Sequence, residues 1–301
     1  MKTVAVIINP NAGNQKLKNE INTIEARLKD VFEEVTVYTT SKEGDGKKII
    51  EKIYSKVDLI IGGGGDGTIF ELVNALAPLD HRPTFAVLPG GTCNDFSRTI
   101  GMNQNPLVAL EQIVQKQTKT VDVGKYNDYY FLNFWGIGLI SKVAEEMDGG
   151  NKKLLGKMSY YINTSKVVFQ NETFQLKITS EEMNYDGEAV MMVVGNGPFL
   201  GGMKSFFPHA DIQNGKFDVL IIKLAKLQHF WTWLETQMQN DYPDNRNDEV
   251  IYFRTSKLHV ESSPEQNIDS DGEVLTQTPS EITILPKHLN VVIGDEAFGT
   301  V

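Results

Sequence analysis

A single cysteine, Cys93, stands among 301 residues. No intrachain disulfide can form, and such usage fits a reducing, cytoplasmic compartment. Basic charge is also scarce, because 29 Lys and Arg against 39 Asp and Glu leave a net charge of −10. That balance argues against a general nucleic-acid binder and against simple electrostatic adhesion to anionic membranes. The five histidines (His81, His209, His229, His259, His288) have no ligand-like spacing, so zinc is not supported. No apolar run approaches membrane-spanning length, and the strand-like run from Thr3 to Ile8 is too short for a secretory signal. A Walker P-loop and the His-Arg-Asp and Asp-Phe-Gly elements of protein kinases are absent.

What is present is enough apolar chain for one large domain or two ordinary ones, at 41% hydrophobic and 23% charged residues. The first part alternates strand-like runs (Val4 to Ile8, Val35 and Val37, Val57 to Ile61, Thr84 to Leu88) with helical patterns. Leu17, Ile21, Ile24, Leu28 and Val31 recur at helical spacing, and further helices are expected through Ile49–Ile53, 69–77 and 107–114. Such alternation predicts a parallel sheet covered by helices. After Val121 strands dominate: 130–134, 174–179, 189–194, 217–222, 250–254, 258–261, 281–285 and 289–293. Only two helices, 153–169 and 227–238, interrupt them, and 240–248 reads as an exposed loop. The expected fold is therefore an α/β domain over residues 1–124 followed by a β-rich sandwich over 125–293, with the tail 294–301 returning to the first domain.

Three turns of the first domain follow predicted strands: Asn9-Pro10-Asn11-Ala12-Gly13, Gly62 to Thr68, and Pro89 to Phe96. In an open parallel sheet the carboxyl ends of the strands share one edge, so all three should converge on one crevice. Glycine turns let backbone N–H groups approach an anion. Asp66 inside such a turn would repel phosphates unless a cation lies between, which points to a nucleotide handled with a divalent metal. Gly62, Gly64 and Gly67 also spell a dinucleotide fingerprint, but no acidic residue follows at the ribose-binding distance, where Arg82 to Leu88 stand.

The residues Asn9-Pro10-x-x-Gly13, Gly64-Gly65-Asp66-Gly67-Thr68 with Glu71, Pro89-Gly90-Gly91-Thr92-x-Asn94-Asp95-Phe96 and the late Asp271-Gly272-Glu273 resemble the diacylglycerol kinase catalytic-domain family. The likeness is to its bacterial soluble and YegS-type lipid kinases, with sphingosine kinases and, further off, NAD kinases and phosphofructokinases as kin. It spans nearly the whole chain. The resemblance implies an NAD-kinase-like first domain, a sandwich second domain and an active site in the cleft between them. It implies ATP and Mg2+ as cofactors, with Asn9, Pro10, Gly13, Gly64, Gly65, Gly67, Thr68, Glu71, Gly90, Gly91, Thr92, Asn94, Asp95 and Arg98 around the nucleotide. Asp66, Asp95 and Asp122 would position magnesium-bound water. Glu273 would take the proton of the acceptor hydroxyl, with Asp271 as a metal or orienting partner.

Read without the family, several of these residues have plainer roles. Asp95 can cap the helix starting at Phe96, Asp122 can be a turn residue, and Asp271-Gly272 is an ordinary hairpin turn. Arg98 and Lys16 are candidate phosphate partners at places where charges are often merely solvated. Asp218 marks a structural magnesium site implied by the family, although Asn214 stands where aspartate is common. Phe70 departs from the family's asparagine, and Cys93 reads as a small buried residue rather than a catalytic thiol. Phe199, Leu200, Phe206, Phe207, Phe230, Trp231, Trp233 and Leu234 read first as core and second as membrane contact. Lys152, Lys153 and Lys157 read as a solvated helix face.

The expected partners are a lipid alcohol, a peripheral membrane contact and, as in many family members, a second copy of the chain, but no nucleic acid. Rival readings at this point are a kinase of the same superfold acting on a soluble substrate such as NAD, and a nucleotide- or lipid-sensing regulator without chemistry.

Overall fold

The computed structural model describes residues 1–141, 173–204, 207, 209–223 and 250–295. The expected helices 153–169 and 227–238 and the loop 240–248 lie outside the described residues, as do Lys152, Lys153, Lys157, Phe206, His229, Phe230, Trp231, Trp233, Leu234 and the tail from 296. In chain order the elements are β1 (Thr3–Ile8), α1 (Ile21–Lys29), β2 (Glu34–Thr39), α2 (Asp45–Ile53), β3 (Leu59–Gly64), α3 (Asp66–Leu76), β4 (Thr84–Pro89), α4 (Asp95–Thr99) and α5 (Pro106–Val114). Next come β5 (Thr118–Tyr126), β6 (Tyr129–Phe131), β7 (Phe134–Gly138), β8 (Phe174–Ser180), β9 (Asn184–Ala189), β10 (Met191–Gly195), β11 (Phe199–Leu200) and β12 (Met203–Lys204). The chain continues through β13 (Phe217–Ile222), β14 (Val250–Thr255), β15 (Lys257–Ser263), β16 (Asn267–Ser270), β17 (Glu273–Gln277) and β18 (Ser280–Val292). Two compact units result: Met1–Val123 together with the stretch from Pro286 onward, and Gly124–Leu285. The return to the first unit thus begins at Pro286, ahead of the residue 294 expected from the sequence.

In the first unit β2, β1, β3 and β4 lie side by side and parallel, and β18 joins β4 where Val291 faces Phe85. The apolar runs are continuous because both faces are covered: Val6, Ile7, Ile8, Ile60 and Ile61 are fully buried. Each such side chain contributes about 1.5–3 kcal/mol of burial free energy. The chain leaves β1 toward β2 on one side, while β3 flanks β1 on the other. The carboxyl ends of β1 and β3 therefore form the switch point at which open α/β sheets bind ligands. The helix expected from Leu17 begins only at Ile21. Gly13 (φ +53°) and Gln15 (φ +64°) are left-handed, and Leu17 packs under the glycine turns, its Cδ1 2.5 Å from where a Cβ on Gly90 would stand.

The second unit contains two antiparallel sheets. One runs β18-β15-β8-β9 and the other β14-β13-β10-β7-β16-β17. Trp135, Ile137, Met192, Val194, Val219 and Ile221 of the second sheet meet Leu176, Ile178, Leu258, Val260 and Ile282 of the first in one core. Their alternate neighbours Phe134, Val193, Leu220 and Ile222 belong to a second cluster with Leu200 and Phe207. Burial on both faces explains why Met191–Gly195 and Val219–Ile222 read as unbroken apolar runs. The strand expected at 130–134 is instead broken between β6 and β7, and the two runs expected at 281–285 and 289–293 form the one strand β18.

Candidate active site

The three turns of the first unit meet backbone to backbone. Asn9 N–H donates to the Gly63 carbonyl (2.9 Å) and Gly90 N–H to the Gly64 carbonyl (2.7 Å). The Asn9 side-chain amide reaches Thr68 Oγ1 at 3.3 Å, tying the first turn to the second. Glycine is required sterically at these contacts. A Cβ on Gly13 would lie 1.7 Å from the Gly90 carbonyl oxygen, and one on Gly91 would lie 2.5 Å from Gly65 Cα. α3 starts at this junction with Gly65 as an extended N-cap and no side-chain cap, so its first amides are presented at the turns. Pro10 is half-buried at the end of β1, and Thr92 is exposed at the rim of the third turn.

Asp66 braces the second turn against the third. Its Oδ2 accepts from Asn94 N–H (2.8 Å) and its Oδ1 from Asp95 N–H (2.7 Å). Protein packed around it removes solvation and pushes the carboxyl above its ordinary value, against the pull of those two amides and of Arg98. Asn94 is left-handed (φ +52°) and closes its own turn, its Oδ1 accepting from Gly91 N–H at 2.8 Å. Asp95 is buried as the first residue of α4. Arg98 donates from Nε to the Cys93 carbonyl (2.8 Å), so it also holds this turn together. Burial, reinforced by the nearby charges of Asp95 and Asp66, pushes the Cys93 thiol up to about 12, which keeps it protonated and without a nucleophilic role.

Two expected site residues lie elsewhere in the first unit. Glu71 turns its carboxylate to the start of α2, where Oε1 accepts from Lys47 N–H at 3.1 Å. Asp122 lies within β5 rather than after it, fully buried, and accepts from Lys287 N–H at 2.7 Å. Residues that the sequence reading passed over complete the third turn: Gln104 accepts from Asn94 Nδ2 (3.1 Å) and donates to Ser97 Oγ (3.0 Å). Lys16 is tied to the same segment through the Gln104 carbonyl (3.3 Å). Nothing in Asn103-Gln104-Asn105 distinguishes it from an ordinary loop. Among the described residues no cluster of three or more His, Cys, Asp or Glu side chains is arranged to hold a metal by itself. The carboxylates Asp66 and Asp95 are hard oxygen donors, a pair that suits magnesium reached through water rather than zinc.

In the second unit Asp271 and Gly272 form the two-residue turn between β16 and β17, with Ser270 opposite Glu273. Glu273 is half-buried as the first residue of β17. The carboxylate of Asp271 accepts from three successive amides, Leu132 (2.6 Å), Asn133 (2.9 Å) and Phe134 (2.9 Å). Asn196, which the sequence reading did not single out, grips the same stretch from its carbonyl side through Leu132 (2.7 Å) and Asn133 (2.7 Å). The cluster Gly195-Asn196-Gly197-Pro198 after an apolar strand was its one visible signal. Phe134, Gly197, Phe199 and Leu200 line a small apolar crevice, closed on another side by Phe207. Leu200 and Phe207 are buried, the core role expected first. Asp218 is buried with Tyr252 hydroxyl donating to it and Arg254 Nε 3.2 Å away, off-line for a hydrogen bond but close enough for charge attraction. With that carboxylate already facing a guanidinium, and with Asn214 Oδ1 accepting from Lys216 N–H (2.8 Å), these residues do not fit a metal ion at Asp218.

The family model of the diacylglycerol kinase catalytic domain matches residues 3–126. That of the YegS C-terminal NAD kinase beta sandwich-like domain matches residues 136–293. A diacylglycerol kinase of Bacillus subtilis (strain 168) is 29% identical over 298 residues, covering 98% of each chain. One of Staphylococcus haemolyticus (strain JCSC1435) is 29% identical over 294 residues, covering 96% of this chain and 88% of the relative. A crystal structure of a diacylglycerol kinase from Bacillus anthracis str. Sterne superposes with a TM-score of 0.83 at 39% identity, covering 98% of each chain.

Proposed function

Since the chain belongs to the diacylglycerol kinase catalytic-domain family and is a lipid kinase, we propose that it transfers the γ-phosphoryl group of ATP to the hydroxyl of diacylglycerol, giving phosphatidic acid. The observation that carries the nucleotide half is the junction of three glycine turns braced by Asp66. Backbone amides of Gly13, Gly64, Gly65 and Gly67, with Thr68 and Thr92, bind and orient the phosphates, while Gly90, Gly91 and Asn94, whose N–H groups are held within the junction, shape the same turns with Asn9 and Pro10. Asp66 and Asp95 would orient the water around the nucleotide's magnesium, with Arg98 balancing their charge, whereas Asp122 is taken up by Lys287 N–H and supports the fold from β5. When bound, magnesium supplies charge neutralisation on the transferring phosphoryl group.

Glu273 accepts the proton of the substrate hydroxyl as its oxygen bonds to phosphorus. The bond from phosphorus to the β,γ-bridging oxygen breaks, and ADP leaves with that electron pair. A lipid alcohol as acceptor is supported by the match to the diacylglycerol kinase catalytic domain and by the diacylglycerol kinases among the relatives. Among the described residues no helix is long and apolar enough to cross a membrane.

The test is transfer of label from γ-labelled ATP with magnesium to dioleoylglycerol in mixed detergent micelles, run beside NAD as acceptor. Labelled phosphatidic acid is expected. Labelled NADP, or label on another lipid alone when a total lipid extract is offered, would replace the substrate named here.

A further inference from the structure

We infer that Asp271 is a positioning residue, which fixes Glu273 by clamping the Leu132–Phe134 backbone and holds no metal; this rests on Glu273 being the base. The turn leaves Asp271 and Gly272 both left-handed (φ +49° and +90°), the geometry of a tight two-residue hairpin. Within it Asp271 is bound on both sides. Its N–H donates to the Phe134 carbonyl (3.2 Å), while its carboxylate accepts from the amides of Leu132, Asn133 and Phe134. Gly272 N–H is held in turn by Asp269 Oδ1 (3.0 Å).

A carboxylate offers about four lone-pair sites, and three of them here face N–H groups. Successive amides pointing at one anion make a concave positive site, and a cation brought to it would meet the positive ends of those dipoles. Asp271 is thus matched to backbone amides and mismatched to magnesium.

The clamp matters because of where β17 sits. Among the described residues it is the last strand of its sheet, paired to β16 alone, and that pairing is irregular between Ile268 and Asp269. A one-residue slip would carry Glu273 to the other face. The anchor it needs comes from Leu132 and Asn133, whose carbonyls are pinned by Asn196 and Gly197. Asp271 transmits that anchorage to the strand that begins two residues later.

The test combines amide hydrogen exchange of the nucleotide-free protein with steady-state kinetics of Asp271→Asn. In the unmodified chain the amides of Leu132, Asn133 and Phe134 are expected to be protected. In Asp271→Asn their exchange should rise and kcat fall, each by about tenfold or more, since one amide oxygen cannot replace a charged three-way acceptor. KM for ATP and the magnesium concentration at half-activity should stay within about twofold. Unprotected amides in the unmodified chain would overturn the clamp without any variant having to fold. A severalfold rise in the magnesium requirement with exchange unchanged would make Asp271 a metal ligand, and faster exchange with full kcat would break its link to Glu273. If Glu273→Gln retains full turnover, the base assignment fails, while the exchange data still decide the clamp.

Discussion

In the first unit Asp66 accepts from the amides of Asn94 and Asp95, and in the second Asp271 accepts from those of Leu132, Asn133 and Phe134. Both carboxylates hold a turn by its backbone, but the turns present different things. Around Asp66 the contacts run glycine to glycine, so what faces a ligand is main chain and the N-terminus of α3. Around Asp271 the backbone is enclosed, and what emerges is one side chain, Glu273, on an edge strand. Binding polyphosphate needs several amides at close approach, which only residues without a Cβ allow. Taking a proton needs one carboxylate at one place, which demands rigid support more than bare backbone.

Paired glycine substitutions break this comparison most sharply. Gly13→Ala puts a methyl group 1.7 Å from the Gly90 carbonyl oxygen at φ +53°. It should cost about 3 kcal/mol of stability by denaturant unfolding and abolish ATP binding. Gly272→Ala also has positive φ, yet a Cβ there meets nothing within 4 Å. Its cost should be conformational alone, about 1 kcal/mol, with ATP binding intact. Equal effects at the two sites would dissolve the distinction between them.

Asp66→Asn gives a smaller effect with a pH signature. The folded-state carboxyl lies above its ordinary value of 3.8 because of burial. As pH rises from 3.8 toward the raised value, the unfolded chain has lost its proton and the folded one keeps it, so this group makes stability fall with pH. Above the raised value its contribution is constant. The difference between unmodified and Asp66→Asn unfolding curves should show that decline across the acidic window, and a difference that climbs with pH there would contradict it.

Cys93 supplies the gentlest test. With the thiol at about 12, on the order of one molecule in ten thousand is thiolate at pH 8. Alkylation by iodoacetamide should be far slower in the folded protein than in denaturant and should keep accelerating beyond pH 9. Rapid labelling at pH 7 would show that the third turn is looser than described.

How much of this was legible in the sequence follows the same division. The first unit's turns could be read because each glycine answers a local steric demand, and the strand before it announces which edge it occupies. Their convergence followed from sheet topology alone. Asp122 and Glu71 were read by position after a strand or beside a motif, and their hydrogen bonds to Lys287 and Lys47 could not be seen from that. The second unit hid more, because its turn is completed by residues far along the chain. Asp271 lies 139 positions from Leu132, and the break in the strand expected at 130–134 falls where its carboxylate binds the backbone of Leu132, Asn133 and Phe134. The doubly buried strands around Trp135 and Val193 lack the alternation that marks a one-sided strand. Sequence therefore showed Asp-Gly-Glu as a hairpin, and the fold shows why its first residue is aspartate.

The most direct measurement is Glu273→Gln, assayed at once for ATP affinity and for transfer of phosphate to dioleoylglycerol. The account expects the ATP dissociation constant to be unchanged and kcat to fall by about a hundredfold or more, the usual contribution of a general base. Full turnover in that variant would remove Glu273 from the chemistry, and a large loss of ATP affinity would contradict the separation between a unit that binds phosphate and a unit that takes the proton.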